Sequence, residues 1–225
     1  MSVTEDRARR VAVLTSGGVD SAVLVADQSF RGDVVQPIYI RFGLAWERAE
    51  EDHLRRFLGS LPPDCQARPL VALEFPVADV YGSHWSVSGA EVPDEGTPDS
   101  AVYLPGRNLL LLAKSSVWCA LNDFGAVALG TLKGNPFADS GAEFLDGLAS
   151  LASLALDRPL VIRTPFAGFT KVDVLERGRH LALELTFSCI DPKGGEHCGR
   201  CNKCAERRRG FAASGLADRT TYADR

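Results

Sequence analysis

Apolar residues recur along the chain in two alternating rhythms. Short, nearly continuous apolar runs alternate with longer stretches in which apolar positions return every three or four residues. The short runs are residues 11–16 (VAVLTS), 34–42 (VVQPIYIRF), 69–75 (PLVALEF), 126–131 (AVALGT) and 160–164. Their brevity, β-branched content and flanking Gly, Pro or polar residues predict buried strands. The longer stretches predict helices: residues 20–30; the set Trp46, Ala49, His53, Leu54, Phe57 and Leu58; the segment from Pro105-Gly106 to about Asn122; and Phe144, Leu145, Leu148, Leu151 and Ala152. Pro62-Pro63 closes the second of these. Thr170, with Asp173 three residues on, predicts a helix N-cap, and Gly178 the stop. Residues 81–104 follow neither rhythm and predict a long loop, which in a compact domain is usually functional or mobile.

Regular alternation of strands and helices implies one doubly wound α/β domain with a mostly parallel sheet. We expect it to occupy residues 1–186. From Cys189 onward the composition changes, so residues 187–225 are expected to form a small appendage packed on that domain, too short to bury a core unaided.

Composition excludes several classes. Hydrophobic residues make up 45% and charged residues 24% of the 225 positions, ordinary values for a globular chain and too apolar for disorder. Apolar clusters such as residues 109–113 fall far short of the roughly 18–20 residues of a membrane span. The opening MSVTEDRARR lacks the apolar core of a secretory signal, so a cytoplasmic location is expected. The net charge of −4, from 25 basic and 29 acidic residues, disfavours a global grip on nucleic acid, and no stable nucleic-acid partner is expected.

Two motifs carry chemistry. The first is Leu14-Thr15-Ser16-Gly17-Gly18-Val19-Asp20-Ser21, between the first strand and first helix. Glycines bring backbone N–H groups close to an anion, the helix N-terminus adds partial positive charge, and two serines offer hydroxyl donors. A phosphate or pyrophosphate suits such a loop. No Gly-Lys-Ser/Thr follows and the G-x-G-x-x-G spacing is absent, so it is neither common nucleotide fingerprint. The second motif is Cys189, Cys198, Cys201 and Cys204, spaced C-x8-C-x2-C-x2-C. Four thiolates satisfy a tetrahedral structural zinc ion, and an iron–sulfur cluster is the competitor. His197, beside Cys198, is a spare candidate expected to lie behind the ligands.

Ser16-Gly-Gly-Val-Asp-Ser21 resembles the pyrophosphate-binding loop of the ATP-pyrophosphatase, or PP-loop, superfamily, whose members cleave ATP to AMP and pyrophosphate and activate a substrate oxygen as an adenylate. Together with Pro105-Gly106-Arg107-Asn108, Thr170-Lys171 and the cysteines followed by Arg207-Arg208-Arg209-Gly210-Phe211, the chain resembles the 7-cyano-7-deazaguanine synthase family from about residue 11 to 211. The resemblance implies an adenine nucleotide alpha hydrolase-like fold and an ATP-dependent carbon–nitrogen ligase. It implies ATP, Mg²⁺ and Zn²⁺ as cofactors, 7-carboxy-7-deazaguanine and ammonia as substrates, and a homodimer. It makes residues 14–21 the pyrophosphate cradle, with Asp20 acting through Mg²⁺. Lys171 becomes a phosphate-contacting lysine, and Arg107 and Asn108 nucleotide or substrate contacts. Asp20, Lys171 and Arg107 are thus the candidate catalytic groups. Lys133, just after the fourth strand, is a second candidate cation by position.

Two segments depart from the family pattern. Arg41-Phe42-Gly43-Leu44 stands where an acid, an aromatic-Gly pair and a Gln are usual. In Thr131-Leu-Lys-Gly-Asn-Pro-Phe-Ala-Asp139-Ser140-Gly141, the Asp matches, but Ser-Gly replaces Cys-Arg. These departures leave open a related AMP-forming enzyme that makes an amide or transfers sulfur on another carboxylate or a tRNA.

Overall fold

The computed structural model describes residue 7 and residues 9–223. Most of the opening segment read above for targeting, residues 1–6 and 8, lies outside the described residues. Five strands appear where the apolar runs predict them: β1 Arg10–Leu14, β2 Val34–Arg41, β3 Val71–Glu74, β4 Ala126–Ala128 and β5 Val161–Arg163. All pair in parallel, in the order β3-β2-β1-β4-β5. From β1 the chain builds outward through β2 and β3, then crosses over to lay β4 and β5 on the other side. Connections therefore diverge between β1 and β4, which opens a crevice at the carboxyl ends of those strands.

Helices α1 Val19–Phe30, α2 Glu47–Gly59, α3 Ala78–Tyr81, α4 Trp85–Ser88, α5 Arg107–Leu121, α6 Ala142–Ala155, α7 Lys171–Arg177 and α8 Asn202–Ser214 surround the sheet. Successive strand residues face opposite ways, and two cores result. Ala12, Leu14, Ile38, Ile40, Val127 and Leu129 share one with Leu112 and Cys119 of α5 and Leu145 of α6. Val11, Val13, Val35, Ala126 and Ala128 share the other with α1, with Val174 and Leu175 of α7 and with Phe211 of α8. The fold class expected from the sequence, a doubly wound parallel α/β sheet with a cysteine-bearing C-terminal segment, is the one observed.

Two local differences stand out. Residues 81–104 are not a plain loop: they hold the end of α3, α4 and a 3₁₀ turn at Asp99–Val102. These pieces are too short for a periodic apolar signature. Helix α8 carries no sequence expectation either. Its buried stripe is Cys204, Arg207 and Phe211, and an arginine on that stripe hides the apolar period. No helix among the described residues is long and apolar enough to cross a membrane.

Candidate active site

A cavity of about 320 Å³ fills the crevice between β1 and β4. Its size is at the lower end of the range typical of small-molecule pockets. Leu14, Thr15, Ser16, Gly18, Val19, Asp20 and Ser21 line it from the first loop, Arg107 and Asn108 from the start of α5, and Lys171 from α7. The structure thus gathers onto one surface residues that lie 157 positions apart, from Leu14 to Lys171. Gly17 lies behind the loop, and Lys133 is exposed and outside the lining.

The first loop is built around Gly17, whose φ of 73° suits glycine. A Cβ there would stand 3.1 Å from the Glu50 carbonyl oxygen. Ser16 N–H donates to Ser21 Oγ at 3.1 Å, and Ser21 Oγ donates to the Gly18 carbonyl at 3.1 Å. No side chain caps helix α1 at Gly18. Its first-turn N–H groups are therefore open to an anion. Gly130, after β4, lets that strand end run close beneath α1: a Cβ would meet the Asp20 carbonyl carbon at 3.1 Å and the Ser21 nitrogen at 3.2 Å.

Charges at the loop end are interlocked. Lys171 Nζ donates to Asp20 Oδ2 at 2.6 Å and lies 3.3 Å from Glu206 Oε1. Burial opposes the charge on Lys171, but Asp20 and Glu206 outweigh it and hold its pKa above the ordinary lysine value. Burial likewise opposes the charge on Glu206, and Lys171 and Lys203 overcome it, bringing that carboxyl down to about 2. Asp20 Oδ1, Arg107 Nε and Thr131 Oγ1 are buried atoms without a hydrogen-bond partner, and all three residues line the cavity. Orphaned buried polar atoms are rare, and here three of them belong to residues that line one cavity.

Beneath the first loop, Tyr39 Oη donates to Glu50 Oε2 at 2.7 Å. Burial pushes the Glu50 carboxyl up to about 7, against the opposing pull of Arg107, and raises the Tyr39 phenol as well. Glu47 Oε2 accepts from the Gly43 N–H at 2.8 Å, and its other oxygen from that of Phe42. Sequence reasoning missed Glu47 and Glu50. The available signal was an acid at position 50 on the same helical stripe as Trp46, His53 and Phe57. Asp139 lines the cavity but also anchors α5: its Oδ2 accepts from the Asn108 N–H at 2.9 Å and its Oδ1 from Asn108 Nδ2 at 3.2 Å. Arg41, where the family pattern has an acid, is outside the lining and pairs with Glu51 at 2.7 Å and Glu74 at 2.5 Å.

The four tail cysteines are buried, and their sulfurs all lie within 4.8 Å of one another. Cys201 Sγ is 3.8 Å from Cys189 Sγ, and Cys198 Sγ is 4.0 Å from Cys204 Sγ. A tetrahedron with metal–sulfur bonds of about 2.3 Å has edges of about 3.8 Å. The donor set therefore fits a metal such as zinc. Backbone N–H groups of Asp191 and Cys198 donate to Cys189 Sγ, and those of Arg200 and Cys201 to Cys198 Sγ, which stabilises thiolate charge. His197 stays outside this group: its Nε2 accepts from the Ser188 N–H at 3.1 Å. Burial drives its imidazole down to about 3, so it is neutral. The cysteines share the core containing Leu14 of β1 and Leu129, which directly follows β4.

A parallel sheet with its crevice at the crossover point, and a Ser-Gly-Gly-Val-Asp-Ser loop feeding an uncapped helix, define a PP-loop α/β protein. Comparison with known proteins narrows this. The profile of the queuosine biosynthesis protein QueC family matches residues 10–215, and the chain belongs to that family. A 7-cyano-7-deazaguanine synthase from Methylobacillus flagellatus is 30% identical over 96% of this chain and 96% of its own length. One from Pelobacter propionicus is 30% identical over 96% of this chain and 99% of its own. Among solved structures, a 4-thiouridine synthetase–RNA complex with bound ATP superposes with a TM-score of 0.51 at 16% identity, over 92% of this chain and 50% of that one. At that identity the likeness concerns the fold alone.

Proposed function

We propose that the chain converts 7-carboxy-7-deazaguanine and ammonia to 7-cyano-7-deazaguanine at the expense of ATP. In this reading the substrate carboxylate is adenylated with release of pyrophosphate, ammonia replaces AMP to give the amide, and adenylation of the amide oxygen followed by loss of AMP leaves the nitrile. The observation that carries it is that Asp20, Arg107 and Thr131, each with an unpartnered buried polar atom, line the same cavity as the uncapped start of α1. Family membership and the relatives named 7-cyano-7-deazaguanine synthase support the nitrile product.

Each residue then has a task. The α1 N–H groups with Ser16 and Ser21 would hold the pyrophosphate, with the helix end offsetting its charge. Lys171 would neutralise charge that grows on the departing phosphate. Arg107, a cavity-lining residue, would meet the substrate carboxylate or the α-phosphate with its guanidinium. The free Asp20 oxygen is the natural ligand for Mg²⁺, which when bound supplies Lewis-acid stabilisation of the phosphates. Zinc held by Cys189, Cys198, Cys201 and Cys204 would be structural, because four protein thiolates leave no open position. Residues 187–225 act as a packed appendage of the domain formed by residues 1–186, and the protein works in the cytoplasm.

A second reading, a different acceptor carboxylate, is favoured by one observation. Phe137 lines the cavity and stacks on Tyr103 at 5.0 Å, within the segment that departs from the family pattern. Both readings meet one test. Purified protein is incubated with ATP, Mg²⁺, ammonium and 7-carboxy-7-deazaguanine, and products are followed by mass spectrometry. Nitrile formation, with AMP released at each of the two activations, is expected. AMP release only with other carboxylates or a tRNA would replace the first reading with the second.

A further inference from the structure

Helix α8 begins in the cysteine cluster: Cys201 is its N-cap residue and Cys204 lies in its first turn. Further along the same helix, Glu206 and Gly210 meet Lys171 of α7. Gly210 makes room for the lysine stem: a Cβ there would stand 2.7 Å from Lys171 Cγ and 3.3 Å from Leu175 Cδ1. Past the stem, the ammonium sits between two carboxylates on different helices, Asp20 Oδ2 of α1 at 2.6 Å and Glu206 Oε1 of α8 at 3.3 Å. Glu206 is in turn fixed by Lys203, whose Nζ lies 2.7 Å from its Oε2. All four charged groups line the cavity.

A lysine side chain has four flexible bonds, and ordering it costs up to about 2 kcal/mol of rotamer entropy. Asp20 alone would draw the ammonium toward α1. A second carboxylate on the other side holds it between the helices, while Gly210 seats its stem. Asp20, Glu206, Lys171 and Lys203 also cancel in formal charge, so an arriving anion competes for a lysine already in place.

We propose that Glu206 is a positioning residue for Lys171, so that the cysteine-bearing helix α8 sets where the charge of Lys171 enters the cavity. The proposal rests on the functional reading only in that Lys171 is taken to face a phosphate. The groups facing the ammonium are Asp20 from α1 and Lys203 and Glu206 from α8, so removing Glu206 leaves less negative charge around it. The ammonium then loses its second anchor and is drawn toward Asp20 and α1.

The test uses the full-length, metal-loaded chain. Substrate-dependent ATP–pyrophosphate exchange reads kcat and KM separately. In Glu206→Gln kcat is expected to fall several-fold with KM for ATP unchanged or lower. Glu206→Asp, which keeps the charge on a shorter stem, is expected to recover part of the loss, and in Gly210→Ala kcat is expected to fall because the stem is displaced. An unchanged kcat in Glu206→Gln, or a raised KM at unchanged kcat in both variants, overturns the proposal. A crystal structure of Glu206→Gln is the second measurement: Lys171 Nζ is expected to leave its place between the helices, and an ammonium that stays in place overturns the proposal. Absence of exchange in the wild type would sink the functional reading, while the crystal structure still decides the positioning role.

Discussion

Glu50 and Lys171 show how burial and neighbours divide ionisable groups within one cavity. Lys171 is half-buried between carboxylates that hold its pKa above the ordinary lysine value, whereas Glu50 is buried beside Tyr39 and is pushed up to about 7. Lys171→Met is expected to lower kcat for ATP–pyrophosphate exchange by about 10²–10³-fold, the usual loss when one group stabilising transition-state charge is removed. Rapid-quench assay with labelled pyrophosphate would measure it. Glu50 makes a prediction about stability. Its folded pKa of about 7 exceeds the unfolded carboxyl value, so the folded state binds the extra proton across the interval between them. Stability from this group is present in full below the unfolded value and is lost as pH rises through about 7. Glu50→Gln should therefore be stabilised relative to wild type more at pH 8 than at pH 5, by on the order of 2 kcal/mol. Urea melts of both proteins at the two pH values check this, and parallel curves would show that Glu50 does not titrate as its burial demands.

At the scale of elements, the start of α5 is the instructive case. Its N-cap, Gly106, is left-handed with φ 70° and has no capping side chain. Asp139, from the other side of β4, accepts the Asn108 N–H instead. This contact holds Asn108, and with it the adjacent Arg107, against the cavity. Asp139→Ala is expected to cost about 1–2 kcal/mol, in the range of a lost cap, and to raise KM for the ligand that Arg107 contacts. Thermal melting and steady-state kinetics report the two effects separately. The first loop makes a complementary prediction. Gly17→Ala places a β-carbon at positive φ and 3.1 Å from the Glu50 carbonyl, so a loss of about 1–3 kcal/mol is expected from denaturant titration.

Across the whole molecule, the C-terminal segment closes over the site rather than hanging from it. The Phe187 N–H donates to the Gly17 carbonyl at 2.8 Å, tying the segment to the first loop. Arg207 is almost wholly buried and bonds Thr220, Thr186 and the Leu183 carbonyl at 2.8–2.9 Å. The cysteines sit in the same core as β1 and β4. Metal removal by a chelator, or Cys201→Ser, is therefore expected to destabilise the whole domain. A loss of about 4 kcal/mol, on the order of 10 °C in Tm for a chain of this length, is anticipated. Calorimetry with metal analysis on the same samples would detect it, and an unshifted transition after complete metal loss would contradict a structural ion.

The sequence by itself determined the five strands, the helices with clear apolar stripes, the first loop as a glycine turn that opens a helix, and the four tail cysteines as one cluster. Each of these signals is local: a period, a turn glycine or a short ligand spacing is complete within about a dozen residues. Only the tertiary structure decided that Glu50, Tyr39 and Arg107 face one another, that Lys133 stays exposed outside the cavity, and that Arg41 pairs with acids away from the crevice. It also decided that Asp139 caps a helix thirty-one residues away in sequence and that α8 seats Lys171. Those facts depend on where the crossover after β3 carries the chain and on how closely glycines let helices approach. No periodicity along the chain encodes either, because the partners are separated by whole elements and meet only once the sheet is assembled.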